Sequence, residues 1–228
     1  MISVIIPTYN EETFIGWLVH YLQTYGGDYI AEIIVSDGGS RDETILLAEK
    51  AGAIAITSPL KSRAAQMNFA ASKATGNILY FIHADCIPPV TFATDIIYAV
   101  KAGYGVGRYR TKFISNAFLL KVNAFFTRFD LFICYGGDQT LFLTSKLFTQ
   151  LKGFDVSKVI MEDYDITSRA KEQSPYKIFS KAVLVSARKY KLGGWLQVQL
   201  ANFTAVRSYK KGLPSEQIAS TYRKTLHL

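Results

Sequence analysis

A short apolar run, Ile2–Ile6, opens the chain and stops at Pro7, the pattern of a buried strand. Pro7-Thr8-Tyr9-Asn10-Glu11 reads as a loop. Phe14, Trp17, Leu18, Tyr21 and Leu22 then recur at i, i+3, i+4, i+7 and i+8, which predicts a helix closed by Gly26-Gly27. The alternation continues with a strand over Glu32–Ser36 ending in Asp37-Gly38-Gly39-Ser40, and a helix over Asp42–Lys50 stopped by Gly52. A strand over Ile54–Thr57, an Ala-rich helix over Ser62–Ala74 and a strand over Ile78–Ile82 follow, the last running into His83-Ala84-Asp85. Strands alternating with helices of roughly ten residues predict right-handed βαβ units, hence an α/β fold with a mostly parallel sheet flanked by helices. Ligands of such sheets sit beyond the carboxyl ends of the strands, where Glu11, Asp37 and Asp85 all fall.

Past Pro88-Pro89 the pattern predicts a helix over Phe92–Lys101, a strand around Gly107–Phe113, a strand-like run over Thr140–Thr144 and a helix over Lys146–Leu151. The intervening segment is aromatic: Phe118, Val122, Phe125, Phe129 and Phe132 step by 4, 3, 4 and 3, a helical stripe read as core packing in preference to a lipid-facing surface. Glu162 and Asp163 stand between the apolar Val159-Ile160-Met161 and a helix-like run, Ile166–Glu172. Burying two adjacent carboxylates is costly unless a metal, a hydrogen bond or a substrate hydroxyl meets them. The plain alternative is a helix N-terminus, whose dipole favours acids.

With 228 residues, 49% apolar and 19% charged, the chain is read as one globular domain over residues 1–228. Two cysteines, Cys86 and Cys134, lack metal-type spacing; their scarcity fits a reducing, cytoplasmic compartment and leaves a single disulfide open. Met1–Pro7 has no basic stretch and is read as a first strand, not a signal peptide. The net charge of +8 is uneven. From Arg188 onward eight Lys/Arg meet one acid, Glu216, a net +7; residues 1–187 carry eighteen against seventeen, a net +1. Such a basic segment suits an anionic lipid surface or nucleic acid, but no nucleic-acid module accompanies it, so no nucleic-acid partner is expected. Within it, Leu192–Val206 is interrupted by Gln197, Gln199 and Asn202 and falls short of the about 20 apolar residues that span a bilayer. Two readings stay open: an interfacial helix with basic ends, or a helix packed over the sheet or over a second subunit of a homodimer.

The turn at Asp37–Ser40 puts a carboxylate at a strand end, where a planar base can approach the backbone. His83 and Asp85, two apart on extended chain, point together. A hard divalent cation wants carboxylate oxygen and shares it with substrate phosphates, so Asp85 fits it and His83 fits poorly. Arg63, where a helix begins, suits phosphate, or else is a solvated cation.

Taken in order, residues 6–11, 35–44, 63–68, 83–85 and 161–164 resemble the motifs of the family 2 glycosyltransferases. Gly137–Gln139, Lys152–Phe154 and Val185–Lys189 are similar to those of a compact bacterial branch without transmembrane segments. The resemblance implies a GT-A (Rossmann-like) fold with a nucleotide-sugar half over about 1–105, an acceptor half over about 106–190 and an amphipathic, basic helical tail over about 191–228. It implies that Pro7, Thr8, Tyr9, Glu11 and Asp37 hold the nucleoside of a UDP- or GDP-sugar, with Arg63 near the base or diphosphate. Asp85, with His83 and Ala84 beside it, matches the last acid of an Asp-x-Asp motif that carries Mg²⁺ or Mn²⁺; His83 stands where the family has its first acid. Asp163 matches the general base and Glu162 its neighbour, Asp138 and Gln139 the acceptor side, and Arg188 approaches the diphosphate. The implied reaction inverts the anomeric centre, with Asp163 taking the acceptor's proton. An interfacial tail would bring such an enzyme to a lipid-linked acceptor at the inner face of a membrane. A nucleotidyltransferase fits less well, because Pro7–Glu11 has neither glycine nor positive charge. A non-catalytic nucleotide-sugar-binding or membrane-surface protein is suggested only by His83.

Overall fold

The computed structural model describes residues 1–136 and 140–226, and the side chains of all of these but 191–193. The described strands are β1 (Ile2–Thr8), β2 (Ile30–Asp37), β3 (Ile54–Thr57), β4 (Ile78–Phe81), β5 (Cys86–Ile87), β6 (Val106–Phe113), β7 (Leu141–Thr144) and β8 (Tyr176–Val185). They form one sheet in the order β3-β2-β1-β4-β7-β6-β8-β5. β3, β2, β1 and β4 are parallel; β7 runs antiparallel to both β4 and β6, β6 and β8 are parallel, and β5 is antiparallel to β8. The expected parallel sheet is therefore the first half, and the second half is mixed.

The helices are α1 (Ile15–Gly26), α2 (Thr44–Lys50), α3 (Arg63–Ala71), α4 (Phe92–Lys101), α5 (Phe118–Phe126), α6 (Ser145–Gln150), α7 (Glu162–Gln173), α8 (Arg188–Lys210) and α9 (Ser215–Leu226). Every residue of β1 is buried, because helices cover both faces of the sheet. Val4 and Ile6 join Leu18, Leu22 and Ile96 in one core layer, whereas Ile5 joins Met67, Phe148 and Ile166 in the other. Side chains alternate with a period of two, so one strand feeds both layers. Each fully buried aliphatic there contributes about 1.5–3 kcal/mol.

Several expectations shift. β1 runs through Pro7 and Thr8, where the sequence pattern predicts a loop; Pro7 lies in register with Ser36. The buried face of α1 is Ile15, Leu18, Val19 and Leu22, one position on from the predicted stripe, and Phe14 and Trp17 are exposed. The core reading of the aromatic stripe is corrected: of α5 only Leu120 is buried, and Phe118, Phe125 and Phe129 are 75%, 47% and 44% exposed. The face of this segment turned to β6 is filled instead by Leu120 and Thr127, whose hydroxyl accepts from the Thr111 N–H at 3.0 Å. Strands β5 and β8 were not anticipated.

The tail is helical, as expected. A residue outside helical geometry, Gly194 (φ 68°, ψ 162°), kinks α8, and α9 folds back along it. Val198 and Ala201 of α8 pack with Leu226 of α9, while Ala205, Val206 and Ile218 pack on Met161. Leu196, Leu200 and Phe203 are left outward, 77%, 59% and 56% exposed. No helix among the described residues is long and apolar enough to cross a membrane. Cys86 and Cys134 are buried free thiols.

Candidate active site

β1 and β4 end side by side, so the segments leaving them, Pro7–Glu11 and His83–Asp85, share one edge of the sheet. A lobe of about 400 Å³ opens there, lined by Pro7, Thr8, Tyr9, Glu11, Arg63, His83, Ala84, Asp85 and Arg188. A second lobe, of about 530 Å³, holds Glu162 and Asp163. The two share Tyr9, Arg63, Lys189 and Tyr222, and together form one cleft. Acids separated by 152 positions thus face a common space, with two guanidinium groups between them.

Arg188 begins α8. Its Nη2 donates to Glu11 Oε1 at 2.5 Å and its Nη1 to Glu11 Oε2 at 3.0 Å, while its Nε lies 3.3 Å from Asp85 Oδ2. Arg63 begins α3, after Ser62 caps that helix by accepting from Ala65 N at 3.2 Å. Its Nη1 lies 3.2 Å from Glu162 Oε1 and 3.9 Å from Asp163 Oδ2. Each cation joins an acid pair. Burial, together with Arg63 and Arg188, pushes the His83 imidazole down to about 3, so it is neutral at physiological pH.

Glu162 and Asp163 open α7, as the dipole argument allows, yet the turn before them is strained. Met161 is buried in the left-handed region at φ 75°, which a non-glycine residue adopts only when its surroundings impose it. This geometry carries the chain into the helix with the Glu162 side chain only 5% exposed and that of Asp163 15% exposed.

Asp37 does not line the cleft. It is fully buried; its Oδ2 accepts from Gly39 N and Ser40 N, both at 2.7 Å, and its Oδ1 from the hydroxyls of Thr8 and Ser40. All its acceptor positions are used to hold the turn against β1. Asp138 and Gln139, expected on the acceptor side, lie outside the described residues. Gly136 before them packs flat on Tyr164 of α7: a Cβ there would fall 1.7 Å from the ring.

Residues not foreseen also line the cleft. Lys189 follows Arg188 directly, and Tyr222 comes from α9, whose sequence carries no motif. Gln66 and Asn68, inside the 63–68 motif, are clamps. Gln66 Nε2 donates to Thr8 O at 2.7 Å and Ser36 O at 2.9 Å, pinning the ends of β1 and β2; Asn68 makes two bonds to the Phe154 backbone.

The model of a family described as Glycosyl transferase family 2 matches residues 3–148. The chain belongs to this glycosyltransferase family. Among curated relatives, glucosyl-3-phosphoglycerate synthase of Mycolicibacterium smegmatis is 34% identical over 98 residues, 39% of this chain and 32% of that protein. The match thus takes in about a third of that relative's length. Among solved structures, S. aureus TarS 1–349 in complex with UDP superposes with a TM-score of 0.67 at 17% identity, covering 99% of this chain and 70% of that one. Mannosyltransferase PcManGT from Pyrobaculum calidifontis, in complex with GDP-Man and Mn²⁺, gives 0.67 at 17% identity, with 99% and 68% covered. At that identity the likeness establishes the fold, which is the GT-A arrangement implied by the motifs.

Proposed function

We propose that this family 2 member transfers a sugar from a UDP- or GDP-sugar to an acceptor hydroxyl with inversion at the anomeric carbon. The observation that carries the reading is the convergence of Asp85, Glu162 and Asp163 on one cleft, with Arg63 and Arg188 set between them. The donor's nucleoside lies along Pro7, Thr8, Tyr9 and Ala84, over the turn that Asp37 holds. Arg188 and Arg63 meet the diphosphate, for which a guanidinium fork is well matched.

The donor set suits a divalent cation shared with that diphosphate. Among the described residues no group of three or more His, Cys, Asp or Glu could hold a metal alone, and a Mg²⁺- or Mn²⁺-type ion in such a site takes one or two protein ligands plus phosphate oxygens. Asp85 would hold it, beside the neutral His83. When bound, the ion neutralises charge gathering on the leaving diphosphate. Asp163 receives the acceptor's proton as the acceptor oxygen bonds to the anomeric carbon; the anomeric C–O bond breaks and its electron pair leaves with the diphosphate. The acceptor is taken as lipid-linked and the tail as lying at a membrane surface, since Leu196, Leu200 and Phe203 face outward and lead into Arg207, Lys210 and Lys211.

A thermal-shift panel of UDP- and GDP-sugars, with and without Mn²⁺, followed by product analysis tests the reading. Stabilisation by one nucleotide-sugar with Mn²⁺, and turnover of it, are expected. Binding without any hydrolysis or transfer would leave a nucleotide-sugar-binding protein, and retained anomeric configuration by NMR would remove inversion.

A further inference from the structure

A cavity of about 290 Å³ separates α5 from α8. It shares Tyr164, Lys189 and Asn202 with the lobe that holds Asp163, so the two spaces adjoin across these side chains. Its polar lining is mostly neutral. Thr111, reaching in from β6, is 4% exposed, and its Oγ1 has no hydrogen-bond partner among the described residues; Gln199 Nε2, from α8, is likewise buried and unpartnered. Leaving a buried hydroxyl or amide unpaired is costly, and a ligand bearing hydroxyls would recover that cost. Lys189 is the one charged side chain among the described lining residues, and its Nζ stands 5.0 Å from the centre of the Tyr222 ring. Neutral hydroxyls meet Thr111, Asn123 and Gln199 there, beside that single cation.

The lips of the cavity are apolar. Phe126 and Ile133 stand at its edge, 47% and 50% exposed, and Phe118 lies farther along α5 at 75%. On α8, the exposed Leu196, Leu200 and Phe203 lie one position on from Trp195, Gln199 and Asn202, about 100° around the helix from the side that faces α5. Apolar surface of this extent beside a polar opening marks a contact with a ligand or a lipid.

We propose that this cavity is the acceptor's seat and that the acceptor is an amphiphile, an uncharged hydroxyl-bearing head on a hydrocarbon tail. The head enters against Thr111 and Gln199 and reaches Asp163; the tail lies over the lips formed by α5 and α8. The proposal rests on the glycosyltransferase reading for the chemistry done on the head, but not for the seat itself.

The test titrates the full chain with n-octyl β-D-glucoside below its micellar concentration and with glucose, while nucleotide binding is followed separately by the thermal shift with UDP and Mn²⁺. The glucoside is expected to bind at least about tenfold more tightly than glucose. Gln199→Leu and Asn123→Phe are expected to weaken it by about tenfold or more, and Phe118→Ser combined with Leu200→Ser to erase the preference over glucose. Far-UV circular dichroism establishes that each variant is folded. No glucoside binding by the wild type, or equal binding by wild type and both cavity variants, overturns the seat. Glucoside binding lost in the cavity variants, from a chain that no UDP- or GDP-sugar stabilises, upholds the seat and overturns the glycosyltransferase reading alone.

Discussion

Arg188 holds Glu11 across 177 positions of sequence through two hydrogen bonds, and the same guanidinium lies 3.3 Å from Asp85. It pairs with both carboxylates, so a cation at Asp85 has to compete with it. Arg188→Ala should therefore raise the affinity of the nucleotide-free protein for Mn²⁺, read by titration. The same change should lower turnover by about 10²-fold, because the proposed donor to the leaving diphosphate is lost. Weaker Mn²⁺ binding in that variant would remove Arg188 from this role.

Arg63 lies nearer to Glu162 than to Asp163, 3.2 Å against 3.9 Å, which divides the labour of the two acids. Glu162 lies closer to Arg63, and Asp163 is the proposed base. Asp163→Asn should lower kcat by about 10²–10⁴-fold with nucleotide binding unchanged. Glu162→Gln should act chiefly on the KM for the nucleotide-sugar, since it loosens Arg63. Initial rates set beside the thermal shift with UDP distinguish the two patterns.

Much of this site was legible because its residues sit where hydrophobic runs stop. Ile2–Ile6 and Ile78–Ile82 announce strands, and the polar residues that follow them line the cleft. Asp37 has the same signature and is nevertheless buried as the anchor of its own turn; a strand-end aspartate looks alike in sequence whether it meets a ligand or backbone N–H groups. The Phe118–Phe132 stripe misled for a related reason. Helical periodicity reports that one face is apolar, not what covers that face. Gln66 and Asn68 were opaque because each clamps backbone distant in sequence, and Tyr222 reaches the cleft only through the fold-back of α9.

Asp130 and Lys171 pair across the gap between the segment after α5 and α7, joined by the Tyr135 hydroxyl. Despite partial burial, Lys171 and the Tyr135 hydroxyl hold the Asp130 carboxyl below its ordinary value, and the same contacts raise Lys171. The depressed carboxylate contributes stability above the unfolded-state pKa, and that contribution is lost as pH falls through the folded value. For the raised amine the contribution is present below its unfolded pKa and is lost as pH rises through the folded one. The pair is partly exposed, so Asp130→Asn should cost only about 0.5 kcal/mol near neutral pH. That cost should vanish under strongly acidic conditions, as urea unfolding at several pH values would reveal.

Gly153 and Lys152 are neighbours with left-handed backbones, at φ 71° and 60°, and they should respond oppositely to substitution. A Cβ on Gly153 would fall 2.6 Å from Asn68 Oδ1, the atom that accepts from Phe154 N at 2.9 Å while Asn68 Nδ2 donates to Phe154 O at 2.8 Å. Gly153→Ala therefore adds left-handed strain of about 1 kcal/mol to the loss of one or both bonds, each worth about 1 kcal/mol. Lys152 is exposed and bears the same strain, while the backbone bond it donates to Thr149 O survives substitution, so Lys152→Gly should gain about 0.5–1 kcal/mol. Urea midpoints should move down for the first variant and up for the second, at constant slope. Because Phe154 packs edge-on against Phe81 at 5.1 Å, at the end of the strand that delivers His83 and Asp85, Gly153→Ala should also weaken the thermal shift with UDP and Mn²⁺. Lys152→Gly should leave that shift as it is, and a loss of nucleotide binding in both variants would mean that this turn reaches the cleft by some route other than Asn68 and Phe154.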